Sequence, residues 1–351
     1  MTGKTELLNA CSDSLTPFFI YINQNLKRQK LKKSLLTLVV LGTFASIAQA
    51  QSAVTIYGFM DIGVQKASGT PLQIIRNNSN GIGFKGAEDL GDGLSALFDI
   101  SQRFLPDTGA AEGNGTRPLF QGRTIVGLKG NFGTIKLGRS HTALQSTIGD
   151  FEPFENYLGV ANIGDAQYPN GYASGKAPGN GGRFSNAIFY NSPDISGFSV
   201  GASLGTKEND IAGGAPLAEH PYSLSFSYAN GPLAANLGTE RNTVGDKWSA
   251  IGVSYKVGPA NLMASVAKNA DHNGIDGRGW TIGSKIDIGA GTYKVGFSRD
   301  TTDNAPTNKV FGLGYQYNMS KRTYLYTDVA HKKTDNADAI NAFDAGIHHS
   351  F

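Results

Sequence analysis

The stretch Trp280-Thr281-Ile282-Gly283-Ser284-Lys285-Ile286-Asp287-Ile288 alternates between two kinds of residue. Its even positions are mostly apolar, whereas its odd positions are small, polar or charged. Successive side chains of a β-strand point to opposite faces, so this pattern predicts a strand with one apolar face and one polar face. About ten residues is also the length that a tilted strand needs to cross a bilayer. The stretch therefore favours a membrane-crossing strand.

The same alternation recurs along the chain from residue 53 to residue 351, and no convincing helical period interrupts it. Clear examples lie at 222–228, 251–257, 311–317 and 343–351. A soluble β-sandwich would also alternate, but it would not end strand after strand in Tyr, Phe or Trp. Aromatic residues at strand ends are typical of the two interfacial girdles of an outer-membrane barrel.

The connections between these segments are short and long in turn. Tight turns are predicted at 91–93, 131–133, 193–197, 230–232, 258–259, 289–291 and 319–321. Longer polar loops are predicted near 70–78, 105–118, 141–182, 207–219, 242–246, 270–278, 301–307 and 332–339. Seven turns and eight loops join sixteen strands. The pattern predicts an all-β fold, a transmembrane antiparallel β-barrel of 16 strands with both termini on the periplasmic side.

The composition excludes several other classes of protein. The 351 residues include 46 Gly, only 17% are charged and 10% are aromatic, which suits strands and turns better than the helices of a soluble α/β enzyme. The single cysteine is Cys11. A disulfide framework and a thiolate metal site are therefore not expected, and we predict no metal and no cofactor.

The amino-terminal 50 residues have the pattern of an export signal. A basic pair, Lys32-Lys33, precedes an apolar run over 34–42, and Ala48-Gln49-Ala50 is an A-x-A cleavage site. The run is too short to span a bilayer, and the alternative is a buried core helix. We expect cleavage after Ala50, so that residues 1–50 are an extension plus signal peptide and residues 51–351 form the barrel. Since signal peptides rarely carry a thirty-residue leader, we also expect translation to start at position 31.

The net charge of +3 belongs to this leader. Residues 1–50 hold six of the 31 basic and two of the 28 acidic residues, which leaves 25 basic and 26 acidic residues in the remainder. A near-neutral remainder gives no argument for nucleic-acid binding.

Several segments resemble the porins of β-proteobacteria and neisseriae. They are Val54–Gly58, Gly83–Leu94, Val126–Gly133 with Leu137–Arg139, Tyr190–Pro193 with Gly197-Phe198, and His348–Phe351. The resemblance implies a homotrimeric general-diffusion porin in the bacterial outer membrane, a passive channel for ions and small hydrophilic solutes and not an enzyme. It further implies contact with outer-membrane lipid and lipopolysaccharide, and recognition of the terminal Phe351 by the barrel-assembly machinery.

The resemblance also implies that the third extracellular loop folds into the lumen as a constriction. That loop would be 141–182, the longest in the chain, and loops of this length are usually functional. Its acidic residues Asp150, Glu152 and Glu155 would line the pore, with Phe151 and Phe154 holding the loop against the wall. The alternative is a solvated acidic loop at the surface.

In such porins, basic residues on early strands face the acidic loop. Because a charge on the lipid face near the midplane costs about 2–4 kcal/mol, strand alternation with lipid-facing apolar residues selects lumenal candidates. The candidates for this basic wall are Lys85, Arg103, Arg123 and Arg183. Arg139 is expected near the rim. The chain has Gly81 where relatives usually carry Arg, and Arg123 lies one place later than expected, so the wall is thinner than in strongly anion-selective relatives.

Two other classes of function are alternatives: a non-conducting adhesin or receptor on the same barrel, and an outer-membrane hydrolase. Gly201–Gly205 matches G-x-S-x-G, but it lies within an alternating strand and lacks the strand-to-helix elbow. Gly81–Gly86 matches G-x-G-x-x-G and also begins a strand rather than a helix. His348 and His349 point to opposite faces and do not chelate one metal together.

Overall fold

The computed structural model describes residues 54–113, 117–174, 182–208, 217 and 219–351. The leader, Cys11 and the cleavage site at Ala50 lie outside these residues. The strands are β1 (Thr55–Ala67), β2 (Gln73–Ile75), β3 (Gly81–Gly91), β4 (Leu94–Arg103), β5 (Arg123–Gly130), β6 (Gly133–His141), β7 (Arg183–Asn191), β8 (Phe198–Gly205), β9 (Tyr222–Asn230), β10 (Leu233–Arg241), β11 (Lys247–Val257), β12 (Ala260–Ala270), β13 (Asp276–Ile288), β14 (Gly291–Thr302), β15 (Asn308–Asn318), β16 (Thr323–Thr334) and β17 (Ile340–Ser350).

Sixteen of these strands form one closed antiparallel ring. Each strand from β4 to β16 pairs with both of its sequence neighbours, and β1 pairs with both β3 and β17. The β1–β17 register runs from Phe59 opposite Ser350 to Ala67 opposite Ala342, which closes the barrel. The predicted strand number and the alternation of short turns with long loops are confirmed. The three-residue β2, which was not predicted, pairs with Gly63–Gln65 at the edge of β1 above β3.

The sheet has an apolar face and a polar face. Large apolar residues at every second position are exposed, for example Ile251, Val253 and Ile282, the last at 55%. The residues between them, such as Ser254 and Thr281, are buried and small or polar. A continuous exposed apolar band is the surface that a barrel presents to lipid. Among the described residues, no helix has the length and apolarity to cross a membrane.

The segment 142–182, which we call the long loop, is described over 142–174 and at 182, and its described residues pack against the polar face. It contains the helix α1 (Gln145–Ile148) and the 3₁₀ turns Gly149–Phe151, Gly164–Gln167 and Pro169–Gly171. Two apolar clusters join the loop to the strands. The first contains Leu144, Ile148, Phe151, Tyr172, Trp248, Ala250 and Ala267, and the second contains Phe154, Val160, Ala161, Ile163, Ala330 and Ala342. The apolar core of the molecule is therefore the contact between the long loop and the strands.

One residue departs from the predicted alternation. Strict parity predicts that Phe184 faces lipid together with Ile188, but Phe184 is only 1% exposed and packs with Ala187 and Phe189. The β6–β7 register shifts here, and Asn186 has a φ of 49°. A β-bulge adds one residue to a strand, so side chains on either side of it no longer share the parity of the sequence.

Candidate functional site

Five of the seven predicted constriction residues line one cavity of about 800 Å³. Arg103, Arg123 and Arg183 lie on the strand side of this cavity, and Asp150 and Glu155 of the long loop also line it. Lys85 and Glu152 are not among its lining residues. The structure therefore brings together charges that lie up to 80 residues apart in the sequence.

Arg123 is held by a carboxylate on the neighbouring strand. Its Nη1 donates to Asp99 Oδ2 at 3.0 Å, and the Tyr57 hydroxyl also donates to Asp99. The Arg123 side chain remains 45% exposed. Lys85 lies 4.9 Å from the centre of the Tyr57 ring, a cation–π contact, and is connected to Arg123 only through this tyrosine.

Two further arginines are fixed by backbone carbonyls at the start of β5. Arg183 Nε donates to the Gly122 carbonyl oxygen at 2.7 Å. Arg139 Nε donates to the Gln121 carbonyl oxygen at 2.9 Å, and its Nη1 donates to Ser185 Oγ at 2.8 Å. Neutral carbonyl acceptors orient a guanidinium without cancelling its charge. Arg183 lines the cavity, whereas Arg139 is not among its lining residues.

Arg103 belongs to a cluster that sequence reasoning missed. Glu112, in the loop between β4 and β5, is 3% exposed and forms ion pairs with Arg76, Arg103 and Arg117. The Arg103 pair is 3.0 Å long. Nothing in the local sequence marks Glu112, because its three partners come from two loops and a strand. One carboxylate thus forms ion pairs with three guanidinium groups.

The acidic side of the cavity is partly neutralised by lysines. Lys285 Nζ donates to the Glu155 carboxylate. Burial opposes ionisation of Glu155, but the Lys285 charge and hydrogen bond outweigh it and lower the pKa of Glu155. Burial and the Glu155 charge raise the pKa of Asp150. Lys294, opposite Lys285 on β14, lies 5.5 Å from the centre of the Tyr157 ring.

The Glu152 carboxylate is bound by backbone groups of its own loop. It is fully buried, and its carboxylate accepts hydrogen bonds from the backbone N–H groups of Phe154, at 2.9 Å, and Asn156. Burial raises the pKa of Glu152 to about 7, although these two N–H groups act in the opposite direction. Glu152 therefore holds the turn at 152–156 through these hydrogen bonds and does not face the basic wall.

The formal enzyme motifs have structural explanations. Ser203 lies in β8, is 4% exposed, and its hydroxyl accepts a hydrogen bond from Ala143 N at 3.0 Å. Gly81–Gly86 lies within β3. Within the described ranges, no group of three or more His, Cys, Asp or Glu residues is placed to hold a metal ion.

Comparison with known proteins gives the family. The family model described as Gram-negative porin matches residues 37–337 of the chain. This chain belongs to the Gram-negative porin family. The porin is therefore an outer-membrane channel protein and not an enzyme, which confirms the predictions of family, location and class of function.

The relatives of this porin match it over nearly their whole length. Outer membrane porin protein 32 of Delftia acidovorans is 30% identical over 340 residues, which cover 91% of this chain and 94% of the relative. Major outer membrane protein P.IB of Neisseria meningitidis serogroup B is 27% identical, with 92% and 100% covered. Among solved structures, the anion-selective porin from Comamonas acidovorans is 25% identical, with a TM-score of 0.74 and coverage of 86% and 100%. A general-diffusion channel on a sixteen-stranded barrel fits all three.

Proposed function

We propose that solutes cross this porin through a charged constriction between the long loop and the basic wall of β4, β5 and β7, and that anions pass in preference to cations. The observation that carries the proposal is the unequal neutralisation of the two sides of the 800 Å³ cavity.

The position of the long loop is supported by its contacts. Phe151 lies against Gly252, Pro153 against Gly283, and Ala161 against Gly312. These glycines belong to the polar face, since their strand neighbours Ile251 and Ile282 are exposed on the apolar face. In a closed barrel whose apolar face meets lipid, the opposite face encloses the lumen. A loop packed on that face narrows the channel.

The charge balance is supported by the ion pairs. The basic side has four arginines close together, which are Arg76, Arg103, Arg117 and Arg123. Among the described residues, these four arginines form ion pairs with only two carboxylates, Asp99 and Glu112. On the loop side, Glu155 is paired with Lys285, which leaves Asp150 as its main negative charge. A positive potential in a narrow, water-filled passage raises the local concentration of anions.

A relative points in the same direction. The porin from Comamonas acidovorans, 25% identical to this chain, is described as anion-selective. The absence of an arginine at Gly81 thins the wall near Lys85.

The double variant Arg123→Ala/Arg183→Ala tests the proposal. Each substitution removes a positive charge beside the path of the ion, and one unit charge about 4 Å away in water is worth about 1 kcal/mol, or about a fivefold change in local ion concentration. In planar bilayers with a salt gradient, the reversal potential of the double variant should shift towards cation preference. Single-channel conductance steps of the unaltered protein show pore formation in the same experiment.

The matched control is Arg278→Gln/Arg299→Gln, which removes two arginines from the exposed apolar side of β13 and β14. Its reversal potential should equal that of the unaltered porin. An unshifted reversal potential in Arg123→Ala/Arg183→Ala would remove both residues from the constriction.

We further propose that the porin is a homotrimer. The apolar faces of β5, β6 and β8 expose large residues, among them Val126, Leu137 and Leu204. These faces carry no outward lysine or arginine in the described residues, apart from the hydrogen-bonded Arg139, and are suited to protein contact. Native mass spectrometry in a mild detergent should give three copies per particle, and a monomer would contradict the proposal.

The two ends of the chain are proposed to act in export and assembly. We propose cleavage after Ala50, with the amino-terminal residue of the outer-membrane protein being Gln51, which Edman sequencing tests. We also propose that Phe351 is recognised by the barrel-assembly machinery. Its backbone N–H donates to the Gly58 carbonyl at 3.0 Å while its ring stays 42% exposed at the end of β17.

A further inference from the structure

Aromatic side chains lie beside the arginines in the 800 Å³ cavity. Tyr57 and Phe59 of β1 and Tyr157 of the long loop are among its lining residues, together with Arg103 and Arg123. A charged constriction needs arginines alone to attract anions. The rings therefore call for an explanation of their own.

Tyr57 and Phe59 belong to the lumenal face of β1. Ile56 and Met60 are exposed on the apolar face, and successive side chains of a strand point to opposite faces. The Phe59 ring stacks on the His348 ring, with the two ring centroids 5.0 Å apart. This contact orders the Phe59 ring before a solute arrives, which lowers the entropy cost of stacking a second ring on it.

The strand register places Phe59 and Arg103 at the same height on either side of one glycine. Phe59 of β1 is opposite Gly81 of β3, and Gly81 is opposite Arg103 of β4. The three atoms nearest to a Cβ at Gly81 would belong to Gln102 and Arg103, and none to Phe59. Since neighbouring strands lie about 5 Å apart, Gly81 leaves a gap about 10 Å wide between the backbones of β1 and β4.

The next lumenal row also joins a ring to a guanidinium. Tyr57 is opposite Gly83, and a Cβ at Gly83 would overlap the Tyr57 ring, which therefore lies across β3. The Tyr57 hydroxyl and Arg123 both donate to the Asp99 carboxylate. The bond from Arg123 uses its Nη1, whereas a guanidinium has five N–H donors and this side chain is 45% exposed. A second carboxylate can therefore reach Arg123.

A solute that carries both an aromatic ring and a carboxylate matches this arrangement. Its ring would stack on Phe59, and its carboxylate would accept hydrogen bonds on the side of Arg103 and Arg123. We infer that the constriction favours aromatic carboxylates, of which benzoate is the simplest, over aliphatic anions of the same charge. The inference rests on the proposed constriction and adds to it a preference for one chemical class of solute.

The charges of the cavity argue against other aromatic solutes. The four arginines of the basic side repel an aromatic cation. A neutral aromatic solute would stack on Phe59 but would leave the guanidinium donors unused. Conduction also requires that the solute leaves again, and one stacking contact with one ion pair is weak enough for passage.

Block of the chloride current by two matched acids tests the inference. Benzoate and cyclohexanecarboxylate carry the same charge at neutral pH, and the saturated ring has the larger apolar surface, so apolar burial alone favours cyclohexanecarboxylate. Stacking favours benzoate instead. In single-channel records in KCl, the half-blocking concentration of benzoate should be about fivefold lower than that of cyclohexanecarboxylate. Equal values, or a lower value for cyclohexanecarboxylate, would overturn the inference.

Phe59→Leu removes the ring and keeps an apolar side chain, so the ratio of the two half-blocking concentrations should fall from about five to about one. The matched control is Phe311→Leu, which makes the same change on the exposed outer face of β15 and should keep the ratio. If Phe59→Leu kept the ratio, or if Phe311→Leu lost it, the assignment of stacking to Phe59 would be wrong.

Gly81→Arg tests the gap independently, including the case in which Phe59→Leu forms no channels. Its Cβ would lie 2.9 Å from the Gln102 carbonyl oxygen, so the strands must shift slightly to accept it. The new side chain fills the space between Phe59 and Arg103 and adds a positive charge. The reversal potential in a KCl gradient should therefore move towards anion preference while the ratio falls to about one. A ratio that stayed near five would rule out this gap as the site.

The same recordings separate this inference from the proposed function. Arg123→Ala/Arg183→Ala should raise the half-blocking concentrations of both acids and leave their ratio near five, because both acids lose the same ion pair. An unaltered porin without a preference for chloride over potassium would overturn the proposed charge balance. Equal block by the two acids in an anion-preferring porin would overturn only the preference for aromatic carboxylates.

Discussion

A single residue, Glu152, shows why acidic composition alone does not define a pore lining. The sequence groups Glu152 with Asp150 and Glu155 as equivalent loop acids. In the structure the Glu152 carboxylate is buried under the loop, where it binds the N–H groups of Phe154 and Asn156. Only the fold decides which acid turns inward, because the burial of Glu152 depends on strands more than a hundred residues away.

The buried Glu152 predicts a pH dependence of loop stability. Its folded-state pKa of about 7 lies above the ordinary 4.5. Below pH 4.5 both states are protonated and the loop has its full stability, whereas between 4.5 and 7 only the opened loop loses the proton. Stability therefore falls as pH rises, by about 3 kcal/mol above pH 7.

Hydrogen–deuterium exchange of the peptide 150–157 checks this prediction. After correction for intrinsic exchange rates, protection should be higher at pH 5 than at pH 8. Glu152→Gln should remove the difference and raise protection at pH 8, while Glu155→Gln should leave the difference in place. A pH-independent protection in the unaltered porin would contradict the assignment.

At the scale of elements, the strands and turns were predictable and the long loop was not. Alternation and turn residues are local signals, so the sixteen strands and seven short turns follow from the sequence. The positions of Arg103 and Arg123 beside one cavity agree with parity together with the family resemblance. Arg183 lines the same cavity, although the parity argument for it relied on a lipid-facing Phe184, which is buried. Glu112 and the bulge that buries Phe184 escaped prediction because each depends on contacts between distant segments.

The long loop packs closely against the strands because the strand residues at the contact are glycines. A Cβ at Gly279 would overlap the Ala166 carbonyl oxygen, and one at Gly296 would overlap the Ile163 side chain. Gly279→Val should therefore displace the turn Gly164–Gln167, with a cost of about 1–3 kcal/mol for overpacking. Single-channel conductance should rise because the constriction widens.

Ala264→Val is the control for this change. It adds two methyl groups on the neighbouring strand β12, on the side of the exposed Leu262 and Val266, where no loop packs. Its conductance should match that of the unaltered porin. If Gly279→Val kept the original conductance, the loop would not depend on this glycine for its position.

At the scale of the whole molecule, closure of the ring depends on the meeting of its first and last strands. Asp61 of β1 is 1% exposed at this seam, and four donors from three parts of the chain surround it. Its Oδ1 accepts from Asn77 N at 2.6 Å, from Asn78 N at 3.3 Å and from the Tyr326 hydroxyl at 3.0 Å. Its Oδ2 lies 3.2 Å from His348 Nδ1 on β17. One carboxylate thus ties the first long loop, β16 and β17 to β1.

Removal of that carboxylate should weaken closure far more than its size suggests. Asp61→Ala leaves the Asn77 N–H and the Tyr326 hydroxyl, both buried, without this acceptor, and each buried donor left unsatisfied costs about 1–3 kcal/mol. Asp61→Asn keeps one oxygen acceptor and should lose less. The control is Asp287→Ala, since Asp287 is exposed and its carboxylate accepts a hydrogen bond from Thr292 Oγ1 at 2.6 Å, so that its loss should cost little. Urea unfolding of the refolded porin in detergent, followed by the far-UV β signal, should rank the variants with Asp61→Ala lowest. Equal midpoints for Asp61→Ala and Asp287→Ala would mean that the β1–β17 backbone ladder alone holds the barrel closed.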